Sequence, residues 1–243
     1  VMSGRNRGKS YEISSQLLAD AWYDSKQFGY IRRNDATSYD VEQYFADKTD
    51  FIKDMTDREA TGITKYKGKL WFYRWEITDE DAKKVYVKEA GNFFALSRQA
   101  SYKSLQYPMI FNLLFEEVLT DGSYLSAEPE KLMNLYSTIR RGKQGFRMWL
   151  VNNLVTAVNP YSQSWGLNLS QLKPNDIKLV KLYLGSYKED GEEDYLYIAC
   201  HYLKDKGDLT KEDLKKNAKN RIKTGIASNK WDELTLYNSI PIR

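Results

Sequence analysis

Apolar positions recur at helical spacing between Ser10 and Ser25, where Ile13, Leu17, Leu18 and Ala21 share one face, and this spacing predicts an amphipathic helix. Ahead of it the apolar pair Val1-Met2 reads as the end of a strand and runs into a glycine-basic loop, Ser3 to Gly8. Phe28 to Arg32 reads as a short strand ending in Arg32-Arg33, and Tyr39 to Phe51 as a helix with Val41, Tyr44 and Phe45 inward. Ile63 to Tyr66 and Leu70 to Ile77 predict a β-hairpin turning at Lys67-Gly68-Lys69, followed by a short strand at Phe93 to Leu96. Met109 to Phe115 is apolar on both faces, as in a central strand of a parallel sheet, and is closed by Glu116-Glu117. A helix beginning near Ala127 takes in Leu132 to Ile139, and a second buried strand, Met148 to Val151, ends in Asn152-Asn153. Ile177 to Tyr187 and Tyr195 to Leu203 predict an antiparallel hairpin around the acidic turn Lys188 to Asp194. Thr210 to Lys223 predicts a helix capped by Thr210, with Asp213 closing a capping box. Strands alternating with helices give an α/β class: a mainly parallel sheet with helices on both faces, plus a β-hairpin.

Composition adds limits. The 243 residues are 42% hydrophobic and 29% charged, enough for a packed core. No apolar run reaches the roughly 18 residues of a membrane span, and the first residues carry no apolar signal-peptide run, so no membrane association is expected. A single cysteine, Cys200, excludes an internal disulfide and fits a reducing cytoplasm. The net charge of +4 tolerates polyanions without demonstrating nucleic-acid binding. His201 beside Cys200 supplies too few ligands for zinc, and both read as plain strand residues.

The sharpest chemical signal is Gly8-Lys9-Ser10 between a glycine-basic loop and a helix. A phosphate-binding loop wraps phosphates in backbone N–H groups at a helix N-terminus; its lysine reaches the β- and γ-phosphates and its serine binds Mg²⁺. Against the pattern G-x-x-x-x-G-K-[ST], the first position is Ser3, with a glycine next door at Gly4. The competing reading is a solvated basic turn. At the end of the apolar strand, Glu116 could help hold Mg²⁺ through water and Glu117 could polarise an attacking water; the competing reading is an acidic helix start. Asn152-Asn153 could sense the γ-phosphate or simply open a loop. Arg140, Arg141, Lys143 and Arg147 could favour a helix dipole or supply an arginine finger in trans.

In this order the residues resemble the ATPase domain of the DNA-encapsidation motor of phi-29-type tailed phages, relatives of the large terminase subunits. The resemblance covers most of the first 165 residues. It rests on Gly4-Arg5 with Gly8-Lys9-Ser10-Tyr11, on Tyr30-Ile31-Arg32-Arg33, on Tyr107-Pro108, and on Phe115-Glu116-Glu117. It continues through Leu135, Ile139 to Arg141, Asn153 and Val158-Asn159-Pro160-Tyr161, and is faint past Ser170.

The resemblance implies a P-loop ATPase of the additional-strand catalytic-glutamate (ASCE) type. It would use ATP and Mg²⁺ to drive double-stranded DNA into a prohead, as a homo-oligomeric ring, typically a pentamer. Its partners would be the phage portal and a packaging RNA, in the cytoplasm of the infected host. The nucleotide set would be Ser3, Gly4, Arg5, Asn6, Arg7, Gly8, Lys9, Ser10 and Tyr11, with Ser10 and Glu116 toward the metal. Glu117 matches the catalytic glutamate and Asn153, with Asn152, the coupling position. Arg141 matches the trans-acting finger and Lys103 a second trans-acting cation. Arg32 or Arg33 is a candidate cis sensor, as are Arg5 and Arg7. DNA contacts are expected from loop 120–128 and the segment after Arg33. Glu116 stands where the family places Asp. Residues 1–205 would form the ATPase domain, with the start of its first strand missing, and 206–243 a small helical lid or linker toward an absent nuclease-like domain. The other readings are a helicase- or repair-like P-loop ATPase and a non-catalytic nucleotide-sensing module.

Overall fold

A glycine in the left-handed region starts the first long helix. Gly8 stands at φ +70°, and α1 (Lys9–Tyr23) follows it with Leu17, Leu18 and Ala21 buried as the spacing predicts. The structure, a computed structural model, describes residues 1–3, 8–77, 81–120, 122–153, 158–173, 175–187 and 193–203. Gly4, Arg5, Asn6 and Arg7, residues 188–192 of the acidic turn, the helix expected at Thr210 to Lys223 and the 206–243 segment lie outside the described residues, while Glu193 and Asp194 open a strand rather than a turn.

The described residues fall into two compact units. The larger spans Gly8–Glu116 and Leu125–Leu150. After α1 come β2 (Gln27–Arg32), α2 (Ser38–Phe45), a 3₁₀ turn at Ala46–Lys48 and α3 (Thr49–Met55). Next are β3 (Gly62–Tyr66), β4 (Lys69–Ile77) and β5 (Ala82–Ala95), then a 3₁₀ segment at Leu96–Tyr102. The unit closes with β6 (Ile110–Glu116), α4 (Glu128–Arg140) and the first residues of β7 (Arg147–Asn153). Its central strand β2 pairs in parallel with β5 on one side and β6 on the other, and β3-β4-β5 form an antiparallel extension. Within this unit the strand order β6-β2-β5-β4-β3 makes a mixed sheet with a parallel centre, while in the smaller unit β1 (Met2–Ser3) pairs in parallel with the end of β7. Phe28, Ile31, Leu113, Leu114 and Phe115 form the middle of the core, which is why β6 is apolar on both faces apart from the buried Asn112 and the closing Glu116.

Two elements differ from expectation. The helix predicted over Tyr39 to Phe51 breaks into α2, the 3₁₀ turn and α3. In a 3₁₀ turn residues three apart eclipse one another, and here Phe45 and Lys48 both turn inward. The short strand at Phe93 to Leu96 is the end of the 14-residue β5. Its first half, Ala82 to Glu89, is rich in lysine and half exposed, with only Val85-Tyr86-Val87 apolar, yet it pairs with β4 along its length through two register irregularities. Gly91 sits where β5 switches partners: a Cβ there would lie 1.8 Å from the Phe28 carbonyl oxygen.

The smaller unit holds β1, residues 117–124 and the chain from Val151 onward. The hairpin of β8 (Ile177–Tyr187) and β9 (Glu193–His201) is antiparallel as predicted. Cys200 and His201 are residues of β9, with Cys200 buried. Tyr202 bridges Met2, and the Leu203 N–H donates to the Met2 carbonyl at 2.9 Å. The run Asn159-Pro160-Tyr161 is a helix start: Asn159 caps α5 (Pro160–Ser164) in a reciprocal box with Ser162, Pro160 takes the first helical position, and buried Tyr161 packs edge-to-face on Trp165.

Candidate nucleotide-binding site

In the larger unit the site begins at the N-terminus of α1. No side chain caps this helix among the described residues, while the N–H of Glu12 reaches the Gly8 carbonyl at 2.8 Å. Lys9 is buried, 8% exposed, and Ser10 follows it on the first turn. The carboxyl of Glu116 meets them from the end of β6. Glu116 is 7% exposed, its neighbours include the Ser10 and Tyr44 hydroxyls, and its Oε1 is buried without a hydrogen-bond partner among the described residues. Burial pushes this carboxyl above the usual carboxylate range, while Tyr44, Ser10, Lys48 and Arg32 pull the other way. The Tyr44 hydroxyl faces it, also buried and, among the described residues, without a partner of ordinary geometry; burial and then the Glu116 charge hold that phenol well above its normal value. Tyr44 stacks on Tyr30, the centroids 4.7 Å apart, and Arg32 donates to the Tyr30 hydroxyl at 3.3 Å.

The two adjacent arginines have different settings. Arg33 clasps Glu128 with two bonds of 2.6 and 2.7 Å and lies over the Phe115 ring; Glu128 is fully buried and also accepts from the Leu125 N–H. This places Arg33 in a brace between the end of β2 and the start of α4, while Arg32 stays beside Glu116. At the other end of α4, Arg141 adopts φ +33° and its guanidinium donates to the backbone carbonyl of Lys103 at 2.6 Å, which brings it to the segment that carries the second cation expected to act in trans. Next to them, Lys143 donates to the carbonyls of Tyr107 and Ile110.

The smaller unit holds the rest. Ser3 pairs with Asn153, and Met2 with Asn152, in the β1–β7 ladder. Glu117 stands at φ +54°, directly after β6, and donates its N–H to the Val151 carbonyl at 3.1 Å. The Asn152 side chain accepts from the Leu119 N–H at 2.9 Å and donates to the Asn153 carbonyl at 2.6 Å. Of the two asparagines, Asn152 therefore ties β7 to the loop that starts with Glu117.

Sequence reasoning missed Tyr44 and Lys48. Both surround Glu116, and Lys48 is 1% exposed. The signal was present: Lys48 falls on the apolar series Val41, Phe45, Ile52 and Met55, where a solvated lysine has no place. Of the expected DNA-contacting segments, loop 120–128 contains no lysine or arginine, and Asp35, after Arg33, is held by Lys65 and Arg98. Among the described residues no cluster of three or more His, Cys, Asp or Glu side chains forms a metal cage.

The model of the podovirus DNA encapsidation protein (Gp16) family matches residues 1–184. The chain belongs to this family. Curated relatives of this encapsidation-family chain include the DNA packaging protein of Bacillus phage B103, 26% identical over 170 residues, covering 69% of this chain and 47% of that protein. The DNA packaging protein of Bacillus phage phi29 is 27% identical over 164 residues, covering 66% and 44%. The chain thus spans about half the length of the curated relatives it matches. Among solved structures, the N-terminal domain of the DNA packaging ATPase from bacteriophage phi29 aligns over 69% of this chain and 80% of that one, with a TM-score of 0.50 and 24% identity. The Phi-28 gp11 DNA packaging motor aligns over 95% and 63%, with a TM-score of 0.57 and 18% identity. These likenesses establish the encapsidation-protein fold.

Proposed function

We propose that this chain is the ATP-hydrolysing part of a viral genome-packaging motor of the P-loop ASCE type. The observation that supports this most directly is the meeting of Ser10 and Glu116. A buried carboxylate with an orphaned oxygen, beside the serine of a Gly-Lys-Ser helix start, fits a hard cation held partly by water and phosphate rather than by a protein cage. Family membership and the fold of the packaging ATPase point the same way.

In this reading the first-turn N–H groups of α1 and the Lys9 ammonium bind the β- and γ-phosphates of ATP. Ser10 and Glu116 hold Mg²⁺, which when bound neutralises developing charge on the phosphates. Glu117 orients the attacking water and takes its proton. Asn152 and Asn153 report the state of the phosphates to β7. Arg141, with Lys103, completes the site of a neighbouring copy in a ring, the pentamer of the family resemblance. The ring works at the prohead in the infected cell, with portal and packaging RNA, and pumps double-stranded DNA through contacts mainly to phosphates, because a pump ignores sequence.

The test is Mg-ATP turnover against protein concentration. Turnover per chain should rise with concentration, since a finger in trans needs a neighbour. Glu117→Gln should keep ATP binding while turnover falls by about 10²–10⁴, and Arg141→Ala should lower turnover by at least about 10³. Lys9→Ala should abolish ATP binding. ATP binding that survives Lys9→Ala overturns the proposal.

A further inference from the structure

We propose that Lys48 is a positioning residue for the metal-facing carboxylate of Glu116, acting through Tyr44 and Tyr11; the inference rests on the nucleotide reading above. Lys48 lies on the 3₁₀ turn between α2 and α3, 1% exposed. Among the described residues its hydrogen-bond partner is the adjacent Asp47 at 2.6 Å, whose side chain is 58% exposed. Its ammonium is otherwise enclosed by rings: Tyr11 and Tyr44 at 5.3 Å and Phe45 at 5.9 Å.

Such a placement is poor economy for stability alone. A buried ammonium loses its hydration, and one half-exposed carboxylate returns little of that loss; a methionine would fill the same space without it. What the ammonium does is organise its cage. Tyr11 is the residue after Ser10, so the cation–π contact fixes the first turn of α1, where the metal-facing hydroxyl sits. Tyr44 presents its hydroxyl to Glu116, and the charges of Lys48 and Arg32 both favour the ionised form of that carboxyl. Lys48 thus joins both halves of the expected Mg²⁺ site, Ser10 through Tyr11 and Glu116 through Tyr44. The longer Glu116, where the resemblance leads one to expect Asp, has an extra torsion to restrain, and this cage restrains it.

The experiment is equilibrium binding of a non-hydrolysable ATP analogue to the whole chain, with and without Mg²⁺, alongside thermal melting. The parent should bind more tightly with Mg²⁺. Lys48→Met should lose about tenfold of that Mg²⁺-dependent gain, with analogue binding in the absence of Mg²⁺ retained and melting unchanged or raised. Lys48→Arg should keep the gain. If Lys48→Met shows the parental gain, or if Lys48→Met and Lys48→Arg lose it alike, the proposal is overturned. Should Lys48→Met not fold, Tyr44→Phe decides: a reduced gain supports the cage, an unchanged gain overturns it. A parent that binds no analogue at all overturns the nucleotide reading itself, which separates that failure from a failure of Lys48.

Discussion

Single side chains carry opposite kinds of burden here, and the difference is measurable. Arg33 and Glu128 form a bidentate pair with the carboxylate fully buried. Removing one partner of such a pair leaves an uncompensated charge, so Arg33→Ala should cost about 3–5 kcal/mol in urea unfolding. Asn152→Ala strands the buried Leu119 N–H and should cost about 1–3 kcal/mol in the same assay. Burial pushes the Cys200 thiol up. Native alkylation at pH 8 should therefore be slow and become fast in urea. Just above the ordinary thiol value the unfolded chain has shed this proton and the folded chain has not, so stability falls as pH rises there. At this scale the sequence was informative where position follows a spacing: it set Lys9 and Ser10 at a helix start and Glu116 at a strand end. It was silent where meaning depends on a distant partner. Arg32 and Arg33 are equivalent on paper, and only the fold sends one to Glu128 and leaves the other beside Glu116.

Elements were legible in proportion to how plainly burial was written in their pattern. β6 and the inner face of α1 are buried as their apolar positions require, and the β3–β4 turn falls at Lys67-Gly68 as read. β5 was largely hidden because its first half meets water: lysines flank the β-favouring Val85-Tyr86-Val87, and pairing with β4 extends the strand through them. Its dual pairing depends on Gly91. A Cβ there would press on the Phe28 backbone, which cannot swing aside as a side chain can. Gly91→Ala should therefore lower the urea midpoint by far more than Gly68→Ala, whose Cβ would meet nothing within 4 Å even though both glycines have positive φ. The split of the predicted helix into α2 and α3 has a related origin: an inward lysine is a tertiary choice that local propensity does not record.

The whole molecule is best tested as one copy among several. If a site takes Lys9 from one copy and Arg141 from the next, mixing inactive Lys9→Ala with inactive Arg141→Ala should restore activity, at about a quarter of the sites in a random equal mixture. Independent sites would give none. Turnover and nucleotide binding thus separate what each copy does alone from what it lends. The resting place of Arg141 bears on how such lending ends. Its guanidinium already has an acceptor at home, the Lys103 carbonyl. Reaching across to a neighbour exchanges one acceptor for another, so the net gain in holding the two copies together is small. A guest that keeps its own seat warm departs easily: the grip between copies would be brief and renewable, which suits machinery whose members act by turns.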